Sequence, residues 1–325
     1  MRFSIILPLY NKAPYVKKAL ESVCAQTWRD MELIVVDDGS TDGSAALVEQ
    51  FLHTASDAPS YRIITQPNSG VAAARDKGVQ QAGGEYVAFL DADDWWEPAF
   101  LATMAQLIED YPDAGLYATN YIYYKPGKTH VAIRHIPTGY INYPKAYTEN
   151  GAMVVFTSAA VMPAHIFMEM GGFPVGVRLG EDFLLWAKTA LHYPVAFSDK
   201  PLVYYNNDVP ATLRATRNLY APGQHMLFLL EPVEQKIETL PTRGQRDEWH
   251  ALLDMLRVSG LREYWLTETY HTVAAVELKK VDWSKQSRAI RRWYATPRPV
   301  LRLIRQLRQI GSYCKQSLIR RRLGH

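Results

Sequence analysis

Two acidic clusters carry the residue types from which chemistry could be built: Asp91-Ala-Asp93-Asp94 and Gly180-Glu181-Asp182. Hard cations such as Mg²⁺ and Mn²⁺ prefer oxygen ligands, and in phosphate sites one or two carboxylates hold them together with the substrate's phosphates. Asp-x-Asp therefore suggests a metal–diphosphate site, and its plain alternative is a solvated turn capping a helix near Glu97-Pro98. Glu181 and Asp182 open an apolar helix, where acids suit the helix dipole or place one carboxylate as a general base. Arg75 could reach a diphosphate or lie on a solvated helix face. Tyr10 offers a ring on which a base can stack, and Asp38 could accept hydrogen bonds from base or ribose. Either residue alone is equally an ordinary surface tyrosine or a helix cap.

The elements that must position these residues alternate at βαβ spacing through the first hundred residues. Phe3 to Leu7 reads as a buried strand closed by Pro8, and Val16, Ala19, Leu20 and Val23 share one face of a helix that starts near Pro14. Met31 to Val36 is a second apolar strand, running into Asp37-Asp38-Gly-Ser-Thr-Asp42, which caps a helix from Ala45 to Leu52. Tyr61 to Thr65 is a third strand, Val71 to Gln81 a third helix, and Tyr86 to Leu90 a fourth strand, unbroken and apolar as a strand buried on both faces must be. This pattern predicts a largely parallel sheet covered by helices, with ligands bound at the carboxyl ends of the strands. Asp91, Asp93 and Asp94 stand at such an end. The tyrosine-rich middle, with Tyr117, Tyr121, Tyr123, Tyr124, Tyr140, Tyr143 and Tyr147, reads as a half-buried antiparallel layer that could include platforms for a sugar. Ala152 to Met162 is a further apolar segment.

Composition excludes several classes. Hydrophobic content of 48% and a mean hydropathy of −0.20 suit a globular protein, and no apolar run reaches the roughly 20 residues that span a bilayer. The N-terminus lacks a basic-then-apolar secretory layout, so the expected location is the cytoplasm. Cys24 and Cys314 match no metal or redox spacing. Gly-x-Gly-x-x-Gly is absent after the first strand, which removes the main support for dinucleotide binding. The net charge of +3 conceals a division: twelve Lys or Arg and no Asp or Glu from Lys285 onward, leaving 24 basic against 33 acidic residues before it.

Ser4-Ile-Ile-Leu-Pro-Leu-Tyr-Asn11, Val36-Asp-Asp-Gly-Ser-Thr-Asp42, Asn68-Ser-Gly70 with Ala74-Arg75-Asp-Lys-Gly78, Phe89-Leu-Asp-Ala-Asp-Asp94, and Gly171-Gly-Phe173 with Gly180-Glu-Asp182 and Trp186 occur in this order. Together they resemble glycosyltransferase family two, the inverting enzymes of GT-A fold that use sugar nucleotides. The resemblance implies an α/β GT-A domain over 1–220, a helical region over 221–325, and transfer of a sugar from a nucleotide-diphosphate donor, most often a UDP-sugar, to a glycan or lipid-linked acceptor in surface-polysaccharide or lipopolysaccharide synthesis. It implies that Pro8, Tyr10 and Asp38 hold the nucleoside, that Arg75 and Asp91 position ribose and diphosphate, that Asp93 ligates Mn²⁺ or Mg²⁺, and that Asp182 is the catalytic base with Glu181 as its fallback. Asp76 departs from the family's common Asn. Asn206-Asn207-Asp208 departs from the His often found after the Tyr204-Tyr205 strand, which leaves open whether Asp208 takes its place. No Gln-x-x-Arg-Trp follows, which disfavours a processive membrane-embedded synthase. A nucleotidyltransferase and an inactive nucleotide-sugar-binding or membrane-docking module are the alternatives.

Beyond Pro222 the pattern turns helical. Trp249, Leu252, Leu253 and Leu256 share one face, and Leu261, Trp265 and Leu266 begin a partner helix. Val300, Leu303, Ile304, Leu307 and Ile310 form an apolar stripe with Arg298, Arg302, Arg305 and Arg308 mainly off it. Such a basic amphipathic helix, within 298–322, suits an anionic membrane surface, or packs its stripe on preceding helices and leaves its arginines solvated. Nucleic acid is not an expected partner, because no recognised module accompanies the basic tail.

Overall fold

In a computed structural model, which describes residues 2–210 and 218–307, the chain divides into two compact units, Met1–Leu252 and Leu253–His325. The first unit opens with β1 (Phe3–Leu9), α1 (Val16–Cys24), β2 (Met31–Asp37), α2 (Ser44–Thr54), β3 (Ser60–Thr65), α3 (Val71–Val79) and β4 (Tyr86–Phe89). It continues through β5 (Trp95–Trp96), α4 (Phe100–Asp110), β6 (Leu116–Tyr124), β7 (His130–Val131), β8 (Gly139–Ile141) and α5 (Tyr143–Asn150). A 3₁₀ turn (Thr157–Ala159) then leads into β9 (Ala160–Pro163), α6 (Ala164–Glu169), α7 (Glu181–Ala190), β10 (Val195–Asn206), α8 (Glu231–Glu238) and α9 (Arg243–Gly260), within which the division falls. One sheet runs in the order β3-β2-β1-β4-β9-β6-β10-β5, with β7 on β6 and β8 on β10.

The parallel half is the part read from apolar runs. β1 and β2 are buried along their whole length, and β1 lies parallel between β2 and β4. Helix α3 packs tightly on it. A Cβ at Gly78 would come within 2.5 Å of Ile6 Cγ2, so only glycine permits the approach that seats α3, and with it Arg75, against the strand.

Three sequence expectations, on Pro8, on the helix start near Glu97-Pro98 and on the tyrosine-rich stretch, are corrected. Pro8 does not close β1, which continues to Leu9. Leu90 N–H bonds to Ile6 O, so Ile6 and, two residues on, Pro8 face the β4 side, but β4 pairs only as far as Ile6; the missing N–H of Pro8 falls where no ladder partner exists. Trp95-Trp96 form β5 on Val203-Tyr204 of β10, and the helix begins only at Phe100. In the apolar segment 152–162 only Ala160 onward is strand, because Thr157 and Ser158 turn their hydroxyls to acids. The tyrosine-rich stretch is no separate antiparallel layer: β6 lies in the main sheet, parallel to β10 and antiparallel to β9, and it buries Tyr117 and Tyr121.

The division at Leu252 lies beyond the boundary at 220 expected from sequence. Val233 and Ile237 of α8 are buried, the Trp249 ring lies 5.7 Å from that of Tyr143, and Glu248 accepts from Asn142 Nδ2 at 2.8 Å, all inside the first unit. Trp249, Leu252, Leu253 and Leu256 are buried as their spacing required.

In the second unit, α10 (Arg262–Leu266), α11 (His271–Leu278) and α12 (Arg288–Ala295) precede a helical segment over 298–307. Its polarity is opposite to that of the second reading, in which the stripe packs on preceding helices and the arginines are solvated. Arg302 pairs with Glu268 and donates to Leu266 O, and Arg305 pairs with Glu263 at 2.7 Å, whereas Val300, Leu303, Ile304 and Leu307 are 41–59% exposed. Leu301, next to the stripe, supplies the buried contact. Arg308 and Ile310 lie outside the described residues. Among those residues, no helix is long and apolar enough to cross a membrane.

Candidate functional site

Pro8, Tyr10, Asp38 and Asp91 to Asp94 lie at the carboxyl ends of β1, β2 and β4, and Arg75 of α3 joins Asp91 to Glu181 of α7. Pro8 lies in buried β1, and Tyr10, just past it, is 47% exposed. Asp38 N–H bonds to Leu9 O at 2.8 Å, which sets Asp38 beside the start of the Tyr10 loop. The Asp38 carboxylate is buried and accepts from Gln66 Nε2, Ser69 N and Gly70 N, each at 2.8 Å. A carboxylate has about four acceptor positions, and these bonds take three of them. Asp38 thus ties the loop before α3 to the end of β2.

Arg75 is the hub. It is 3% exposed; Nη2 bonds to Asp91 Oδ1 at 2.7 Å, Nη1 to Glu181 Oε1 at 2.8 Å, and the guanidinium carbon lies 5.1 Å from the centre of the Phe173 ring. Two carboxylates beside it keep it charged despite burial. Burial and the neighbouring Asp182 raise the pKa of Glu181, against which Arg75 works. Glu181 is therefore a buried partner of Arg75. Asp182 is half-buried, accepting from Thr157 Oγ1 at 2.8 Å and from Phe183 N at 2.7 Å. Burial raises the phenol pKa values of Tyr143 and Tyr147, and the charge on Asp182 adds to both.

The three aspartates divide their work. Asp91 faces Arg75 and Asp93 faces Lys12. Asp94 is 2% exposed and accepts from Ser158 Oγ at 2.7 Å and from Asn206 N at 2.9 Å, while Ser158 Oγ also receives Asp91 N–H at 3.1 Å. Burial first, then the charges of Asp93 and Asp91, push Asp94 well above the usual carboxylate range. It staples the end of β10 to the acidic turn. Lys12, Thr157, Ser158 and Asn206 were not singled out from sequence as site residues. The two hydroxyls interrupting the apolar run 152–162 were the available signal.

Mn²⁺ or Mg²⁺ in phosphate sites needs one or two carboxylates and substrate oxygens. Asp93 and Asp91 each have one oxygen outside their ion pair, so the residues fit a metal shared with a diphosphate. Among the described residues no group of three His, Cys, Asp or Glu forms a complete protein cage, with exposed Asp208 or without it.

Asp76 accepts Phe173 N–H at 2.9 Å, and burial pushes its pKa up to about 6. Between about pH 4 and 6 the folded chain keeps a proton that the unfolded chain has released, so this group's contribution to stability falls as pH rises through that window. Asp76→Asn keeps the acceptor oxygen and removes the titration. It is expected to raise Tm at pH 8 and leave it unchanged at pH 4, by on the order of 1–2 kcal/mol after discounting for partial exposure. Equal Tm gains at both pH values in thermal melts would contradict this.

Residues 4–170 match the family model described as Glycosyl transferase family 2. Glycosyltransferase GlyA of Streptococcus pneumoniae serotype 4 is 29% identical over 277 residues, covering 79% of this chain and 38% of GlyA. The uncharacterized glycosyltransferase YibD of Escherichia coli K12 is 36% identical over 129 residues, covering 39% of this chain and 37% of YibD. The chain thus spans well under half the length of these relatives. Among solved structures, Staphylococcus aureus TarS 1-349 in complex with UDP-GlcNAc has a TM-score of 0.70 at 18% identity, covering 82% of this chain and 76% of that one. The mannosyltransferase PcManGT from Pyrobaculum calidifontis, in complex with GDP-Man and Mn²⁺, has a TM-score of 0.51 at 20% identity, covering 88% of both chains. These structural likenesses establish a GT-A α/β fold. With the family model spanning more than half of its residues, the chain belongs to glycosyltransferase family 2.

Proposed function

We propose that the chain transfers a sugar, with inversion, from a nucleotide-diphosphate donor, UDP-sugars first among them, to a hydroxyl of a glycan or lipid-linked acceptor in surface-polysaccharide or lipopolysaccharide synthesis. The observation that carries this reading is the double ion pair of Arg75, which reaches Asp91 and, 106 residues along the chain from itself, Glu181, and so brings Asp91-Ala-Asp93-Asp94 beside Gly180-Glu181-Asp182. The sugar nucleotides bound by TarS and PcManGT support the donor class.

Pro8, Tyr10 and Asp38 hold the nucleoside, Tyr10 with an exposed ring. Arg75 and Asp91 set ribose and diphosphate. Asp93 holds Mn²⁺ or Mg²⁺, which when bound supplies positive charge to the leaving diphosphate. Asp182 takes the proton of the acceptor hydroxyl as its oxygen attacks C1 from the face opposite the diphosphate. The new C1–O bond forms, the C1–O bond to phosphate breaks, and its electron pair leaves with the nucleoside diphosphate. Thr157 O–H and Phe183 N–H orient Asp182 for this step.

Calorimetric titration with UDP, GDP, dTDP and CDP, each with Mn²⁺ and again with EDTA, tests the donor site. One nucleotide is expected to bind in a metal-dependent way and to lose that binding in Asp93→Ala. If none binds under either condition, the donor reading fails. The exposed stripe over 298–307 supports an acceptor held at an anionic membrane surface; the same protein should then pellet with phosphatidylglycerol vesicles and not with phosphatidylcholine ones, and failure to pellet with either removes the lipid part.

A further inference from the structure

We propose that Lys12 is a diphosphate-binding cation that is held in place on Asp93 and passes to the donor's phosphates when a divalent metal takes that carboxylate. This rests on the donor reading above and adds to it a residue outside the motifs that carry the family resemblance.

The backbone around Lys12 is pinned on both sides. Asn11 has a φ of 51°, a left-handed conformation uncommon for a residue other than glycine. Its N–H donates to Ser40 Oγ at 3.1 Å, and its Oδ1 accepts from Thr41 N at 2.8 Å. Ser40 N–H in turn reaches Asp37 Oδ1 at 3.1 Å. On the other side Ala13 N–H donates to Asp42 Oδ2 at 2.9 Å, and Lys12 O accepts from Tyr15 N at 2.9 Å and Val16 N at 3.0 Å where α1 begins. The loop beside Tyr10 and Asp38 is thereby latched, and the Lys12 stem leaves it in one direction.

That direction is Asp93. The Lys12 ammonium pairs with Asp93 Oδ2, and the two side chains are only 20% and 21% exposed. Lysines that merely decorate this surface look different: Lys17 with Glu21 and Lys145 with Glu149 are helical neighbours at 3.7 and 3.9 Å, with every side chain more than half exposed. A pair this shielded, between residues 81 apart, is a placed charge.

The site needs such a charge. Two aspartates, Asp91 and Asp93, stand where a diphosphate must approach, and the obvious cation cannot fully answer it. Arg75 spends both terminal nitrogens on Asp91 and Glu181 beneath the surface. Lys12 carries three donors on a flexible stem, so it can exchange one oxyanion for another. With a divalent cation held by Asp93, the Lys12 ammonium would lose its hold on that carboxylate and would take a phosphate oxygen of the donor as its new partner.

The test is Lys12→Met, which keeps the stem and removes the charge. Two bindings are measured calorimetrically: Mn²⁺ alone, and, in the presence of Mn²⁺, whichever of UDP, GDP, dTDP or CDP the wild type binds. Mn²⁺ alone should bind about 3- to 10-fold more tightly, since no ammonium has to be displaced, and the nucleotide about 10-fold or more weakly, since a charged hydrogen bond is lost. Lys12→Arg should recover most of the nucleotide affinity. Opposite signs are the signature, because a purely structural role weakens both bindings or neither. Mn²⁺ affinity that is unchanged or lower in Lys12→Met, or unchanged nucleotide affinity, overturns the proposal while leaving the donor reading intact. A wild type that binds none of the four nucleotides overturns the donor reading, and the proposal with it.

Discussion

In Asp182→Asn, turnover is expected to fall about 10²–10⁴-fold while nucleoside diphosphate affinity stays within about twofold of wild type. Asp182 sits in the first turn of α7, and its two accepted bonds fall on different oxygens, so an asparagine keeps the Phe183 N–H bond on its oxygen and reverses the other, its Nδ2 donating to the Thr157 hydroxyl. What the amide cannot do is take a proton. Single-turnover rates, measured beside calorimetric binding of the product nucleotide, separate these effects. Glu181→Gln is the comparison, because Glu181 is buried against Arg75 and its loss should act through donor binding and stability. Near wild-type turnover in Asp182→Asn, with turnover lost and nucleotide binding kept in Glu181→Gln, would exchange the two roles.

Arg75→Met should damage the protein at two levels. Removing one partner of a buried ion pair costs about 3–5 kcal/mol, because the remaining charge stays buried without its counter-charge. Asp91 is 26% exposed and can recruit water, while Glu181 at 10% cannot, so the expected loss lies near the lower figure. For a chain of this size that lowers Tm by about 4–6 °C. Nucleotide binding should also disappear. Adding Glu181→Gln to Arg75→Met removes the stranded carboxylate and should recover much of the stability, but none of the nucleotide affinity. A double variant that binds nucleotide as wild type does would show that Arg75 is structural only, and an unchanged Tm in the single variant would contradict the buried pair.

The parallel half of the sheet was legible because burial on both faces demands unbroken apolar runs, and Phe3–Leu7, Met31–Val36 and Tyr86–Leu90 have them. The short strand Trp95-Trp96 was not legible. Two residues carry no periodicity, and they become a strand only because Val203 and Tyr204 arrive beside them from more than a hundred residues away. Tyr117 and Tyr121 misled for a related reason: tyrosine suits a half-exposed sheet and a fully buried one, and neighbours on both sides decided for the second.

By itself, the sequence determined the βαβ alternation, the order of the five motifs and hence the family, and which residue types stand at the strand ends, since each of these is a property of local spacing. Tertiary structure alone decided how those residues share the work. It put Glu181 rather than Asp182 on Arg75, buried Asp94 as a staple between Ser158 and Asn206, turned Lys12 onto Asp93, and faced the stripe of 298–307 outward with Arg302 and Arg305 on Glu268 and Glu263. The physical reason is range. A hydrogen bond or ion pair is made or lost within about 3 Å, and the partners that Glu181, Asp93 and Asp94 find are 64 to 112 residues away, so which group each carboxylate meets is set by how strands and helices stack rather than by any stretch that can be read on its own.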